Sequence, residues 1–187
     1  MFYTKDELMN IGFDSVGHNA RISNKVVFYG INDSVIGNNV RIDDFVSIKG
    51  TIKIGNYVHI SSFCMISGVG GEIVFKDFSG TSSHCSLFTA IEDFINPTLT
   101  SPSINADYST IINGDICIGE ASKLGSGCIV LPGTTIGKAS TASAGTIISR
   151  SVNDGAVIGP RQRHFKIYGY RDIDSINVLK DKFNENI

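Results

Sequence analysis

From Ile118 onward a large aliphatic residue falls at every sixth position: Ile118, Leu124, Val130 and Ile136, within IGEASKLGSGCIVLPGTTIGKAS. An α-helix repeats at 3.6 residues and a half-buried strand at two, so neither alone produces this spacing. The same register runs back through Val16, Ile22 and Phe28, then Ile36, Ile42 and Ile48, then Ile54, Ile60 and Ile66, then Phe75, Thr81 and Leu87. It runs forward through Ala142 and Ile148. Glycine follows the leading residue at Gly17, Gly37, Gly55, Gly119 and Gly137. Four positions after a leader stands a small or β-branched residue, such as Val40, Val58, Cys64, Cys85, Cys128 or Thr146.

Six residues make one short strand and one corner. The leader and the small residue two places before it point to the same side of the strand, a large group beside a small one. Three hexads close a coil of about 18 residues, and coils stack about 4.8 Å apart through parallel pairing. A hexapeptide period is a signature of the parallel β-helix, so the expected class is all-β, a triangular solenoid. Glycine after a leader is expected at corners where a Cβ clashes or φ is positive. With 42% hydrophobic residues the chain has enough apolar mass for such a core. A net charge of −2 offers no basic footprint for nucleic acid or an anionic membrane surface. The longest apolar runs fall well short of the roughly 18 residues that span a bilayer. The start, MFYTKDELMN, carries acids and no apolar signal region. Cys64, Cys85, Cys117 and Cys128 lack CxxC spacing, and free thiols in a cytoplasmic protein are expected.

One domain over 1–187 is expected, with an N-terminal cap (1–13), a β-helix (14–152) and a tail (153–187). TKDELMNIG reads as a capping helix, with Thr4 and Glu7 spaced as a capping box. RDIDSINVLKDKFNENI reads as an amphipathic helix. The period breaks twice. SGVGGE (67–72) reads as a corner insertion, since no strand-then-helix context makes it a phosphate loop. Residues 88–115 fit no hexad, and an excursion this long on a solenoid points to function. It holds Glu92, Asp93, Phe94 and Tyr108.

The stretches YTKDELMNIGF, IGNNVRIDDF, VHISSFC, DFSGTSS, NPT and LPGTTIG carry a closer likeness. Over nearly its whole length the chain resembles the hexapeptide-repeat acyltransferases. It is most similar to the sugar O- and N-acetyltransferases of surface-polysaccharide clusters, including those that acetylate dTDP-4-amino-4,6-dideoxyglucose. The resemblance implies a left-handed parallel β-helix and a homotrimer with acetyl-CoA in each groove between subunits. It also implies that the 88–115 excursion reaches over a neighbouring subunit to help form the nucleotide-sugar site. Matching positions imply Ser126, Ala144, Ser149, Arg150 and Arg163 as coenzyme A contacts. The tail departs from the family pattern: Gly159-Pro160 brings proline early, and Arg161, Arg163, His164 and Lys166 crowd together. That cluster is either a phosphate contact or a solvated turn.

Acyl transfer from a thioester needs two substrates held together, a proton acceptor and a donor to the oxyanion. Many relatives carry a catalytic histidine in the excursion; this chain has none there, and Glu92-Asp93 stands roughly in its place. The catalytic candidates are therefore His59, outward on a flat face, Asp93 as acceptor ligand or base, and His84 at a corner just before the excursion. His18 reads as surface. An amine with a free lone pair needs little base, whereas an alcohol needs one poised near neutral pH. The missing loop histidine thus favours N-acetylation of an amino-dideoxy sugar. A galactoside-type O-acetyltransferase and a non-catalytic β-helix binding subunit stay open. No metal is expected, because a γ-carbonic-anhydrase-like site needs three zinc histidines and no HxxxxH pair exists.

Overall fold

The leading residues stack into three ladders, one for each wall of a coil. In a computed structural model of the chain, which describes residues 1–160 together with Val178, Lys182 and Glu185, every pairing along these ladders is parallel. One ladder runs Ile22, Ile42, Ile60, Thr81, Leu124, Ala142 and Ile158. A second runs Phe28, Ile48, Ile66, Leu87, Val130 and Ile148. A third runs Val16, Ile36, Ile54, Phe75, Ile118 and Ile136. Among the described residues the first wall is a seven-stranded sheet, and the other two are continuous as a ten-stranded one. They are continuous because the strands Ser47–Ile54 and Met65–Phe75 run through the corner that elsewhere ends a strand.

Apart from half-buried Phe28 and Ile158, the leaders are buried, as are most of the small residues beside them, Ala20 and Ala156 being half-buried. Cys64, Cys85 and Cys128 are free and buried. Their thiols donate to the carbonyls of Ser82 (3.2 Å), Gly125 (3.1 Å) and Ser143 (3.2 Å), each in the following coil. Hydrogen bonding with Cys128 and then Cys64, together with burial, pushes the Cys85 thiol up and keeps it neutral. These thiols fill the core as expected.

Two kinds of corner residue make close stacking possible. Glycine after a leader serves approach rather than φ: a Cβ on Gly37 would stand 2.5 Å from the Gly55 carbonyl oxygen. The left-handed conformation falls instead three places after the leader. Asn19, Asn39, Tyr57 and Phe78 adopt it on one corner, and Phe45, Phe63 and His84 on another, with φ between 53° and 63°. Asparagine takes this region readily; bulky aromatic residues seldom do. Here the aromatic rings stack between coils: Tyr57 on Phe78 at 4.9 Å and Phe45 on Phe63 at 5.1 Å.

The N-terminal helix Lys5–Ile11 is capped as expected. The Thr4 hydroxyl accepts from the Glu7 amide (3.2 Å) and the Glu7 carboxylate from the Thr4 amide (2.7 Å), while Leu8 is buried. The SGVGGE stretch is taken up inside the strand Met65–Phe75, whose register with its neighbour breaks after Gly50↔Gly68 and resumes at Ile52↔Ile73. Met1–Ala90 and Asn113–Pro160 form one compact unit, and Ile91–Ile112 belongs to a second. The excursion is narrower than the expected 88–115. Ser86–Phe88 is still a solenoid strand, the coils resume at Ile116–Ile118, and Ala90–Glu92 pairs with Ile111–Asn113. The expected C-terminal helix lies outside the described residues. No described helix is long and apolar enough to cross a membrane.

Candidate active site

Parallel register places Arg41 opposite His59 on the outer face of the first wall. Asp43 lies two residues beyond Arg41, so its side chain emerges on the same face. It meets both neighbours: Arg41 Nε donates to Asp43 Oδ1 at 2.7 Å, and His59 Nε2 stands 2.8 Å from Asp43 Oδ2. The Asp43 side chain is only 19% exposed, against 50% for His59. Partial burial opposes charge on Asp43, but hydrogen bonds from His59 and Arg41 outweigh it and hold the carboxyl below its ordinary value. An ionised carboxylate only accepts, so the proton between them sits on His59 Nε2, and Nδ1 is the ring nitrogen not engaged by Asp43. The next position along this row is Gly80. Glycine is required there for close approach of the coils, since a Cβ would stand 2.5 Å from the His59 carbonyl oxygen.

The depressed carboxyl has a consequence for stability. Its contribution is complete above the unfolded-state value near 3.8 and is lost as pH falls through the lower folded-state value. Urea midpoints followed from about pH 6 down to pH 3 should therefore fall on acidification. They should fall less steeply in Asp43→Asn, which has no proton to take up.

His84 sits at the corner that also carries Phe45 and Phe63. Its ring lies 5.1 Å from Phe63 and only 4° from parallel. At the other end of the stack, Lys25 Nζ lies 5.1 Å from the Phe45 ring centre and 2.8 Å from Asp44 Oδ2.

Asp93 is 8% exposed. Its Oδ1 accepts from the amides of Ile95 (2.8 Å) and Asn96 (3.1 Å), and its Oδ2 from Asn96 Nδ2. The Thr98 hydroxyl donates to the Asp93 carbonyl at 3.1 Å. Asp93 thus organises the start of the excursion, a duty that competes with that of a free base. Neighbouring Glu92 accepts from Thr100 at 2.6 Å.

Of the coenzyme A candidates, Ser126 and Ala144 lie on adjacent coils, where the Gly145 amide donates to the Ser126 carbonyl at 2.9 Å. Ser149 and Arg150 are exposed just past Ile148. The wall strands Ile129–Val130 and Ile147–Ile148 separate the two pairs. Arg163 lies outside the described residues. No described cluster of three His, Cys, Asp or Glu side chains is able to hold a metal ion.

Sequence reasoning passed over Arg41, Asp43 and the aromatic stack. A signal existed for the stack: the third position after successive leaders reads Lys25, Phe45, Phe63, His84, Gly127, Gly145. The Arg41–Asp43–His59 contact depends on coil register and is visible only when coils are laid side by side.

The bacterial transferase hexapeptide (six repeats) family matches residues 33–68. The dTDP-4-amino-4,6-dideoxy-D-glucose acyltransferase of Escherichia coli is 38% identical over 129 residues, 67% of each chain. The structure is similar to that of a variant of AntD, an N-acyltransferase from Bacillus cereus, in complex with dTDP and coenzyme A. The TM-score is 0.82 at 33% identity, covering 100% of this chain and 98% of that one. Another AntD variant, in complex with dTDP-4-amino-4,6-dideoxyglucose and coenzyme A, matches at TM-score 0.80 and 32% identity over 100% and 98% of the two chains.

Proposed function

The chain belongs to the hexapeptide-repeat acyltransferase family, and from that premise we propose that it acylates the 4-amino group of a dTDP-linked 4-amino-4,6-dideoxy sugar, with acyl-coenzyme A as donor. The end-to-end likeness to AntD, crystallised with dTDP and coenzyme A, carries this reading. Acetyl is the acyl group proposed. The AntD complex with 3-hydroxybutyryl-CoA makes that donor the first alternative to test.

In the reaction the amine nitrogen attacks the thioester carbonyl carbon. A C–N bond forms, the C–S bond breaks, coenzyme A departs as the thiol and one proton leaves the nitrogen. His59 takes that proton on Nδ1 and returns it to the departing thiolate, with Asp43 fixing the tautomer from the opposite nitrogen and Arg41 fixing Asp43. Asp93 shapes the acceptor loop. Ser126, Ala144, Ser149, Arg150 and Arg163 hold coenzyme A, the cationic pair at its phosphates. The protein works as a cytoplasmic homotrimer with a groove at each subunit boundary, and its product feeds the assembly of a surface polysaccharide.

The His59–Asp43 pair also favours a second reading, O-acetylation, because an alcohol needs a stronger proton acceptor than an amine. One assay separates the two: thiol release from acetyl-CoA with dTDP-4-amino-4,6-dideoxyglucose and, in parallel, with sugars carrying only hydroxyls. Turnover confined to the hydroxyl sugars refutes N-acylation. In the same assay Asp93→Ala should raise KM for the amino sugar about tenfold and change kcat less, since a loosened loop weakens binding before it touches the chemistry. An unchanged KM removes Asp93 from the acceptor site.

A further inference from the structure

The ring stack on the Phe45 corner stops at His84, although the coils continue. The next residue in that column is Gly127, whose amide donates to the Ser83 carbonyl at 3.0 Å, so its coil lies directly against that of His84. Gly145 follows on the coil after it. A Cβ built at either glycine meets no heavy atom within 4 Å among the described residues. Backbone conformation does not impose these glycines. Phe45 and Phe63 at φ 62° and His84 at 63° accept the left-handed region in the same column. Crowding does not impose them either, unlike Gly37. The ring faces follow the stacking direction at 5.1 Å per coil, so among the described residues the next place in the column beyond His84 holds a glycine and no ring.

We propose that this is a shelf for the planar heteroaromatic base of a nucleotide, which stacks on His84 over Gly127. The proposal rests on the reading that the protein uses nucleotide-bearing substrates, and it deepens that reading by assigning the place of a base. Parallel exposed rings favour a flat π-system over an aliphatic chain, which would need a concave apolar pocket. Ser83 and Ser126, one residue before His84 and Gly127, bring hydroxyls to the same corner. Exposed Lys123, four residues before Gly127, supplies positive charge suited to a phosphate. Thymine of the acceptor and adenine of coenzyme A share this chemistry, and separate titrations tell them apart.

The test is calorimetric titration of dTDP and of coenzyme A, each alone, into wild type, Gly127→Phe, His84→Ala and His84→Phe. Gly127→Phe continues the protein's own stack into the vacant position. It should leave the melting temperature unchanged or raised while weakening one of the two nucleotides at least tenfold. The nucleotide affected identifies the base. His84→Ala, an exposed change that leaves the core untouched, should weaken the same nucleotide about tenfold, and His84→Phe should restore it. Wild-type affinity for both nucleotides in Gly127→Phe and in His84→Ala overturns the shelf and leaves the transferase reading standing. A wild-type protein that binds neither nucleotide overturns both. If Gly127→Phe does not fold, the two His84 variants decide the matter alone.

Discussion

His59→Ala should lower kcat/KM for the amino sugar by about 10²–10³-fold at neutral pH, within the range for removal of a positioned general base. The side chain is half exposed and contributes nothing to the ladders, so the loss should come with no more than the small fall in melting temperature due to its lost bond to Asp43. Asp43→Asn separates proton transfer from mere presence of the ring. Its amide keeps one acceptor oxygen but loses the charge that favours imidazolium, so an intermediate loss of about 10–100-fold is expected. A lowered kcat beside a nearly unchanged KM distinguishes this from a structural fault. Rates near wild type in both variants remove the pair from the chemistry and leave the amine attacking as its own free base.

Repeat and site were legible in the sequence to different depths. A buried leader every six residues is a one-dimensional pattern, so its walls, its inward cysteines and its helical cap could be read without coordinates. His59 was legible as an outward residue, because strand alternation decides which way a side chain points. Its partner Asp43 was not. The two are 16 positions apart, and they meet only because one coil of this segment takes 18 residues, which sets Arg41 beside His59. The SGVGGE insertion shows why such bookkeeping fails locally, since extra residues shift the register of everything after them until pairing resumes at Ile73. Asp93 was singled out for its place in the chain. The bonds it makes to Ile95 and Asn96 are short-range turn chemistry of the kind aspartate readily supplies, and they suit a shaping role as well as a chemical one.

A cut into one ladder should cost more than any surface change on the solenoid. Ile118 is 0% exposed and stands between Phe75 and Ile136 on the third wall, with the first and second walls closing the coil around it. Ile118→Ala removes three carbons from a position whose neighbours are held by backbone pairing on both sides and so cannot collapse inward. A loss of about 3–5 kcal/mol is expected, the upper part of the range for buried large-to-small changes. Against a total of about 5–15 kcal/mol for a typical domain, that lowers the melting temperature by many degrees. Thr135→Ala provides the comparison, because Thr135 pairs in register with Cys117, next to Ile118 on the same wall, yet its side chain faces outward and is exposed. It should cost under about 0.5 kcal/mol. Stacked coils depend on their nearest neighbours, so a fault at Ile118 also loosens the coil that carries Ser126 and Gly127, and activity should fall with stability. Equal unfolding midpoints for the two variants would mean that the leaders do not carry the core, and the register that sets Asp43 against His59 would lose its physical basis.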